Sequence, residues 1–305
     1  MSILIIGGSG FLGRHLCQSL LGDGKKVTIQ TRSQNRSKKI FNRMGYCPEI
    51  IEALDDEKLN PSNIEKVIVL SGAGIVDRRW TQNRKDILIN SRVQPQLELK
   101  DWLNQNNHSV KQLLIGSAIG YYGFHQNPDH EFSENSEPID HFVHQLCHQI
   151  EQTSSQLKEC ANNIVQLRTG VVLGKQGGAL QKMRIPAKFH LNGPIGKGKQ
   201  WVSWIHLHDW INAVKYILSL DTPRRAYNLT SPQASTNAQM STAIANSVGK
   251  PFQLPIPSLS LKLLLGEASV LLTGSQKVIP SNLQAANFEF LYPDIEETCQ
   301  NLIRS

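Results

Sequence analysis

The sequence predicts an α/β protein in which helices cover both faces of a parallel β-sheet, with a smaller lobe at the C-terminal end. Three observations predict this architecture. An apolar run, "SILIIG" at residues 2–7, stops at a cluster of glycines and is followed by a segment with helical periodicity. Strand-like and helix-like segments then alternate over the first two thirds of the chain. After Arg168 the sequence pattern changes, and glycine-rich stretches such as "GVVLGKQGGAL" replace the alternation of strand-like and helix-like segments.

The individual elements follow from their apolar patterns. The first helix is expected from residue 10 to 21, because its apolar residues recur at helical spacing and Gly22 and Gly24 follow it. Two longer helices are expected at 81–105 and 139–161. Short apolar runs predict the remaining strands, which are "KKVTIQT", "KVIVLSGAG", "KQLLIGSA" and "NIVQLRTG".

The composition is that of an ordinary globular protein, with 305 residues of which 40% are hydrophobic and 19% charged. No apolar stretch approaches the ~18–20 residues of a membrane span, and we expect no signal peptide because the first residues resemble a strand. The five cysteines are scattered without a CxxC pair, which favours reduced thiols and a cytoplasmic protein. The formal charge of +7 is spread along the chain. We therefore expect a small anionic ligand, and neither a nucleic-acid nor a membrane partner.

The glycine cluster carries two overlapping spacings, Gly8-x-Gly10-x-x-Gly13 and Gly7-x-x-Gly10-x-x-Gly13. It follows an expected strand and opens an expected helix, which is the context of a dinucleotide-binding loop. Glycines let the backbone approach a pyrophosphate, and the helix N-terminus offers free N–H groups and partial positive charge. The alternative is a tight turn with no ligand. We favour a Rossmann-type doubly wound sheet.

The end of the second strand indicates which dinucleotide binds. An NAD-preferring site usually has Asp or Glu about 20 residues after the glycines, bonded to the ribose hydroxyls. Here the sequence is Thr31, Arg32 and Ser33, with no carboxylate. Arg32 can pair with a 2′-phosphate and stack on adenine, so the sequence predicts NADP(H) over NAD(H). The alternative for Arg32 is a solvated surface side chain.

The change in sequence pattern after Arg168 suggests that the chain forms two structural units. We expect residues 1–170 to form the NADP-binding Rossmann domain, with residues 201–230 returning to it. Residues 171–305 are expected to form the substrate-binding lobe.

Several motifs resemble those of the extended short-chain dehydrogenases/reductases. The order of the glycine loop, "LSGAG", "SAIGYYG", "LRTGVVLG" and "SWIHLHDW" is the order in that superfamily. The segments "DRRW", "GGALQKM", "GPIGKGKQWVSWIH" and "GSQKVIPSNL" resemble its epimerase-like subgroup, whose bacterial members are sometimes called cell-division inhibitors. The likeness runs essentially end to end.

The resemblance implies a set of cofactor contacts. The glycine loop would hold the pyrophosphate, and the residues after the second strand would hold the adenosine phosphate. The residues after the third strand would lie beside the dinucleotide, an arginine would reach it from the long helix, and a valine would touch the nicotinamide end. These residues are Gly7, Gly10, Phe11, Leu12, Gly13, Thr31, Arg32, Leu70, Ser71, Gly72, Arg92 and Val172. The chain departs from the family at Ala73, where a Glu is usual.

The resemblance also shows that the usual catalytic base is missing. Redox-active members use a Tyr and a Lys four residues apart, and a Glu usually follows four residues beyond the Lys. Counting back from Glu151 places Cys147 at the lysine position and Val143 at the tyrosine position. Residues 139–157 contain neither tyrosine nor lysine, so no other register restores the pair.

Other side chains remain candidates for chemistry. Ser117, Tyr121 and His206 are candidates to polarise or protonate a substrate oxygen, although His206 is as well explained as a cap. Tyr122, Arg168, Trp201 and Trp204 are candidates for substrate contact, with packing or bracing of the sheet as alternatives. His141, His144 and His148 are spaced along a helix, but nothing completes a metal site and we expect no metal.

Two functions follow as hypotheses. The first is an NADP(H)-dependent oxidoreductase or epimerase-like enzyme acting on a small molecule, either a nucleotide sugar or a small carbonyl compound. The second is a non-catalytic NADPH-binding redox sensor or regulator, which the loss of the Tyr–Lys pair favours. The candidate substrate groups in the second lobe favour the enzyme.

Overall fold

A seven-stranded parallel sheet forms the centre of the computed structural model, which describes residues 2–304. The strands are β1 (Ser2–Ile6), β2 (Lys26–Gln30), β3 (Glu49–Ile51), β4 (Ile64–Val69), β5 (Val110–Ala118), β6 (Glu131–Phe132), β7 (Ala161–Thr169), β8 (Val171–Gly174), β9 (Trp201–Val202), β10 (Trp204–His206), β11 (Ala226–Leu229), β12 (Ser235–Thr236) and β13 (Lys277–Val278). The helices are α1 (Phe11–Gly22), α2 (Gln34–Arg43), α3 (Gln82–Gln105), α4 (Phe142–Ser154), α5 (Gly178–Lys188), α6 (Leu207–Ser219), α7 (Asn237–Ser247), α8 (Ser258–Leu265), α9 (Val270–Thr273), α10 (Ser281–Ala285) and α11 (Ile295–Arg304). Short 3₁₀ helices lie at Pro61–Asn63, Ile119–Tyr122, Ser155–Leu157 and Gly266–Ser269.

The strand order of the central sheet is β11-β7-β5-β4-β1-β2-β3. The chain runs outward from β1 through β2 to β3 and then crosses to β4 on the other side of β1. The order therefore reverses between β1 and β4, and in such sheets ligands bind in the crevice at the carboxyl ends of the two strands. The doubly wound fold expected from the sequence is confirmed.

The alternation of side chains along β1 divides the core between the two faces of the sheet. Ile3 and Ile5 pack in a cluster with residues of α1 and α6. Leu4 and Ile6 pack in a second cluster with residues of α3 and α4. Both faces are covered, which explains why Ile3 to Ile6 are apolar at every position rather than at alternate ones.

The C-terminal lobe adds small sheets and its own core. β8 pairs with β10, β9 with β12, and β6 with β13. The lobe core includes Leu173, Leu180, Trp204, Met240 and Ile244. β11 leaves this lobe and pairs in parallel with β7 at the edge of the central sheet. The division into units at residue 170 stays a prediction.

Two elements differ from the expectation. The helix expected at 139–161 is shorter at both ends, because α4 begins at Phe142 after the N-cap His141, stops at Ser154, and a 3₁₀ turn leads into β7. The short edge strand β3 was missed, since three residues are too few for a periodic signal. Within residues 2–304, no helix is long and apolar enough to cross a membrane.

Candidate functional site

The glycine loop makes a tight turn at the carboxyl end of β1. Gly7 has φ +79°, and a Cβ atom there would lie 2.8 Å from the backbone nitrogen of Ser71. A Cβ atom at Gly13 would lie 2.8 Å from the carbonyl oxygen of Gly7. Glycine is therefore required at both positions, because any side chain would push the loop away from α1 or from the end of β4.

The loop leaves the N-terminus of α1 free of side-chain caps. Gly10 is the N-cap and provides no side-chain hydrogen bond, and the first turn contains no acidic residue. The N–H groups of Phe11, Leu12 and Gly13 have no intrahelical acceptor by helix geometry. Together with the helix dipole they suit an anion such as a pyrophosphate.

A cluster of hydroxyl groups lies at the end of β2. The Oγ1 atom of Thr31, which is buried, lies 2.8 Å from the Oγ atom of Ser9 and 3.1 Å from that of Ser37. The adjacent Arg32 is exposed. Sequence reasoning named Thr31 and Arg32 but missed Ser9 and Ser37, which only the fold brings beside them. The cluster combines hydroxyl groups with a cation, the donors that a phosphate group accepts from.

Arg92 lies beneath the loop that follows β4. Its Nη2 atom donates to the carbonyl oxygen of Ala73 and its Nη1 atom to that of Leu88, each at 2.9 Å. A Cβ atom at Gly72 would lie 2.8 Å from the guanidinium carbon, so the loop rests directly on it. Burial lowers the pKa of Arg92. The structure therefore places Arg92 where it positions Gly72 and Ala73, next to Leu70 and Ser71.

Phe11 links the glycine loop to the second lobe. Its ring lies where Cβ atoms of Gly174, Gly177 and Gly178 would be, at 2.8, 2.4 and 2.9 Å. The close approach of the Phe11 ring explains why several glycines follow Arg168 in the sequence. Val172 lies next to them on β8 and is buried.

The loop after β4 also bridges the two lobes. It contains the "DRRW" motif, whose Asp77 forms an ion pair with Lys182 of α5 at 2.9 Å. The Nε atom of Arg79 donates to the carbonyl oxygen of Leu264 in α8 at 2.8 Å. The loop after β4 therefore contacts both α5 and α8.

A buried polar network lies under the carboxyl end of β5. Arg168 makes a two-pronged ion pair with Glu151, with Nε–Oε1 and Nη2–Oε2 distances of 2.9 and 2.8 Å. The Oγ atom of Ser117 donates to Oε1 of Glu151 at 2.9 Å. Arg168 also donates to the hydroxyl of Tyr122 at 3.0 Å, and this hydroxyl donates to Asn228 at 2.7 Å.

Arg168 and Tyr122 in this network have shifted pKa values. Burial opposes the charge on Arg168, but hydrogen bonding to Glu151 and its negative charge outweigh this and raise the pKa of Arg168. Burial raises the pKa of Tyr122 to about 12, although the neighbouring Arg168 opposes the shift. Ser117, Tyr122 and Arg168 are thus held by internal partners. Glu151 entered the sequence reasoning only as a reference for counting, since spacing gives no sign of its partner.

Tyr121 differs from the other candidates. Its ring is half-buried and lies over the guanidinium of Arg168, with 3.4 Å between Cζ and the ring centroid. Its backbone oxygen contacts Nδ1 of His144 at 2.6 Å, whereas its hydroxyl has no protein partner among residues 2–304. Tyr121 therefore combines an available hydroxyl with an adjacent cation.

Val143 and Cys147 are both buried in α4. A Cβ atom at Gly120 would lie 3.2 Å from Cβ of Val143 and 3.4 Å from Sγ of Cys147. Burial raises the pKa of Cys147 to about 11, so its thiol is neutral at physiological pH. Neither side chain can supply the base or the ammonium group that the resemblance assigns to these positions.

His206 is the N-cap of α6. Its Nδ1 atom accepts from the backbone N–H of His208 at 2.9 Å, and its ring stacks on Tyr292 with 4.0 Å between centroids. Nε2 lies 3.3 Å from Oδ1 of Asn301. Burial lowers the pKa of His206 to about 4. The ring is thus held as a neutral cap, and its role as a proton donor stays a prediction.

The two tryptophans lie in different surroundings. Trp201 is half-buried, and its Nε1 atom donates to Oδ1 of Asp129 at 2.8 Å. Trp204 is fully buried in the core of the C-terminal lobe. A substrate could contact Trp204 only if this core opened, and both substrate roles stay predictions. Among residues 2–304, no group of three or more metal-binding side chains comes together.

Comparison with known proteins identifies the family. The sequence pattern of the NAD dependent epimerase/dehydratase family matches residues 3–230, and a domain of unknown function, DUF1731, matches residues 256–302. The chain belongs to the NAD dependent epimerase/dehydratase family. This confirms the family resemblance found in the sequence.

Similar proteins cover the whole chain. An epimerase family protein of Staphylococcus aureus strain MRSA252 is 32% identical, with 98% of each chain covered. One of Staphylococcus saprophyticus is also 32% identical with 98% of each chain covered. The crystal structure of the human epimerase family protein SDR39U1 with NADPH superposes with a TM-score of 0.88 at 25% identity, covering 100% of both chains. UDP-glucuronic acid 4-epimerase from Bacillus cereus shares the fold, with a TM-score of 0.77 at 16% identity and coverage of 100% and 99%.

Proposed function

We propose that this protein binds NADP(H) and catalyses its redox reaction with a small carbonyl compound or a nucleotide sugar. The observation that carries the catalytic part is the position of Tyr121 over the guanidinium of Arg168. The glycine loop carries the cofactor part.

The cofactor assignment follows from the geometry of the loop. The uncapped N-terminus of α1 suits the pyrophosphate, and the hydroxyls around Thr31 with the exposed Arg32 suit a 2′-phosphate. No carboxylate follows β2 where a ribose-binding acid would repel that phosphate. The human relative whose structure contains NADPH supports the same choice.

In this proposal Tyr121 replaces the missing base. Bound NADPH would supply hydride to the substrate carbon. The hydroxyl of Tyr121 would donate a proton to the carbonyl oxygen, and the guanidinium of Arg168 against its ring would hold the ring in position. Glu151 would hold Arg168 in this position through the two-pronged ion pair.

A titration followed by an assay tests both parts. Energy transfer from tryptophan to the reduced nicotinamide is measured with NADPH and with NADH, and absorbance at the nicotinamide band is then followed with a panel of nucleotide sugars, aldehydes and ketones. We expect tighter binding of NADPH and turnover with at least one substrate. Equal affinity for both nucleotides would refute the assignment of Arg32.

The variant Tyr121→Phe tests the proton donor. It should retain NADPH binding and lose turnover by about 100-fold or more, the usual contribution of a general acid. Tyr216→Phe is the matched control, because Tyr216 is also half-buried but lies on α6 against Phe288. Equal activity of the two variants would rule out the proposed role of Tyr121.

A second candidate function is a redox sensor that binds NADPH without turning it over. The apolar Val143 and the neutral Cys147 at the positions of the base favour it, as does the binding of Ser117 to Glu151. Tight NADPH binding with no turnover across the panel would support the sensor.

A further inference from the structure

Large apolar side chains are exposed together on the C-terminal lobe. Among residues 2–304, eight of the ten exposed large hydrophobic side chains lie in the stretches 185–191 and 252–264. Single exposed apolar residues are common on protein surfaces, but a cluster of this kind marks an interaction site. The eight, which we call the apolar face, are Ile185, Phe189, Leu191, Phe252, Leu254, Leu259, Leu263 and Leu264, with exposed fractions from 49% to 69%.

The backbone joins the two stretches into one surface. The N–H of Leu254 donates to the carbonyl oxygen of His190 at 2.8 Å, and that of Gly193 donates to the carbonyl oxygen of Leu254 at 3.1 Å. The N–H of Ile256 donates to Pro194 at 2.9 Å, and α8 begins at Ser258. The segment after α5 is therefore held against the segment that leads into α8, and both carry exposed apolar side chains.

Helix α8 shows that the face is uncovered. Its sequence is SLSLKLLL, yet none of its residues is buried. A helix so rich in leucine ordinarily buries an apolar side against another element. Leu261 and Leu265 of α8 are half-buried, and Leu265 packs against the core of the chain. Leu259, Leu263 and Leu264 have no such cover among residues 2–304, so a partner outside the chain would supply it.

Basic residues predominate in the two segments that carry the face. The segments 178–200 and 248–265 contain no Asp or Glu. Lys182 pairs with Asp77 from outside them. The remaining basic residues are Arg184, Lys188, Lys197, Lys199, Lys250 and Lys262. This excess of positive charge favours an anionic partner and opposes docking of the face on a second copy of itself.

We propose that the apolar face docks on an anionic lipid bilayer. Leucine and phenylalanine side chains would enter the boundary between headgroups and acyl chains, and the lysines would contact anionic headgroups. Two cavities of about 700 and 330 Å³ are lined by other residues, so neither of them belongs to the apolar face. A flat, yielding bilayer fits side chains that project from a helix and a loop.

This partner was not expected from the sequence. That expectation rested on basic residues that are spread along the sequence, and it considered no surface that the fold assembles from separate segments. The stretches 185–191 and 252–264 are separated by about 60 residues, so their association becomes visible only in the fold.

Sedimentation with lipid vesicles tests the proposal. The full chain is mixed with vesicles of phosphatidylcholine alone and with vesicles containing about 30% phosphatidylglycerol. We expect binding to the anionic vesicles, little binding to phosphatidylcholine, and release in about 0.5 M NaCl. A chain that stays in the supernatant with anionic vesicles at low salt would overturn the proposal.

Two matched variants separate the apolar and ionic contributions. Leu259→Gln/Leu263→Gln/Leu264→Gln keeps the charge and should weaken vesicle binding by about tenfold or more. The control is Ile87→Gln/Leu291→Gln, which changes exposed residues outside the face and should bind as the wild type does. Equal binding by the leucine variant and the control would refute docking through α8.

The ionic variant is Lys188→Gln/Lys250→Gln/Lys262→Gln, which should weaken binding to anionic vesicles by about tenfold or more. Unchanged thermal unfolding shows that each variant is folded. Light scattering of the wild type and of the leucine variant, both without lipid, tests whether a second copy of the chain covers the apolar face. A dimer that the leucine substitutions disperse, without vesicle binding, would assign the face to a second copy and overturn the lipid proposal.

Discussion

Glu151→Gln tests whether the buried network holds the region under Tyr121 together. The substitution keeps the shape of the side chain and removes its charge. Arg168 then keeps its positive charge with a neutral partner, and Ser117 faces an amide group in place of a carboxylate oxygen.

The expected cost follows from burial. The side chains of Arg168 and Glu151 are only 7% and 8% exposed, so water and salt screen the pair weakly. Removing one partner of a buried pair leaves an uncompensated charge and typically costs about 3–5 kcal/mol. For a chain of this size such a loss lowers Tm by roughly 6–15 °C, extrapolating from about 2–3 °C per kcal/mol.

Thermal unfolding followed by circular dichroism measures the shift. Glu65→Gln is the control, because Glu65 pairs with Lys111 at 2.9 Å on the surface and should change Tm little. The double variant Glu151→Leu/Arg168→Met removes both charges and should recover much of the loss. A Tm shift for Glu151→Gln as small as that of the control would refute the account of a buried, unscreened pair.

Three further outcomes are expected. Arg32→Ala should weaken NADPH binding by about tenfold and leave NADH binding unchanged, because the proposed contact to the 2′-phosphate would be lost. Titration of both nucleotides checks this, and an equal loss of affinity for NADPH and NADH would contradict it. Gly13→Ala should weaken binding of both nucleotides, since its Cβ would lie 2.8 Å from the oxygen of Gly7, whereas Gly22→Ala on the same helix meets nothing closer than 3.9 Å and should bind normally. Folding lowers the pKa of His206 from 6.5 to about 4, so the unfolded chain binds the proton more tightly and stability is lost as pH falls from 6.5 to about 4. Urea unfolding at several pH values should show up to about 3 kcal/mol of this loss, and His206→Asn, which retains a capping group, should reduce it.

The sheet and the cofactor loop were predictable because their signals are local. β1 is buried on both faces and therefore reads as one apolar run, and the glycines act within a few residues of one another. The residues that complete the site are not local. Ser9 and Ser37 reach Thr31 from different elements, and Glu151 and Arg168 pair between α4 and β7. Composition and spacing say nothing about such contacts until the fold is known.

The chain lacks the Tyr–Lys pair and still presents a candidate acid, because the fold brings Tyr121 and Arg168 together from distant parts of the sequence. In the arrangement that the resemblance implies, the cation and the phenol belong to one helix, and Val143 and Cys147 leave that helix without either. The network supplies a cation from β7 instead, since Glu151 fixes Arg168 under the ring of Tyr121. The hydroxyl of Tyr121 then comes from the turn after β5, at the carboxyl end of the sheet where the crevice lies. The Tyr121→Phe assay therefore decides whether a phenol outside the usual helix position can serve as the proton donor.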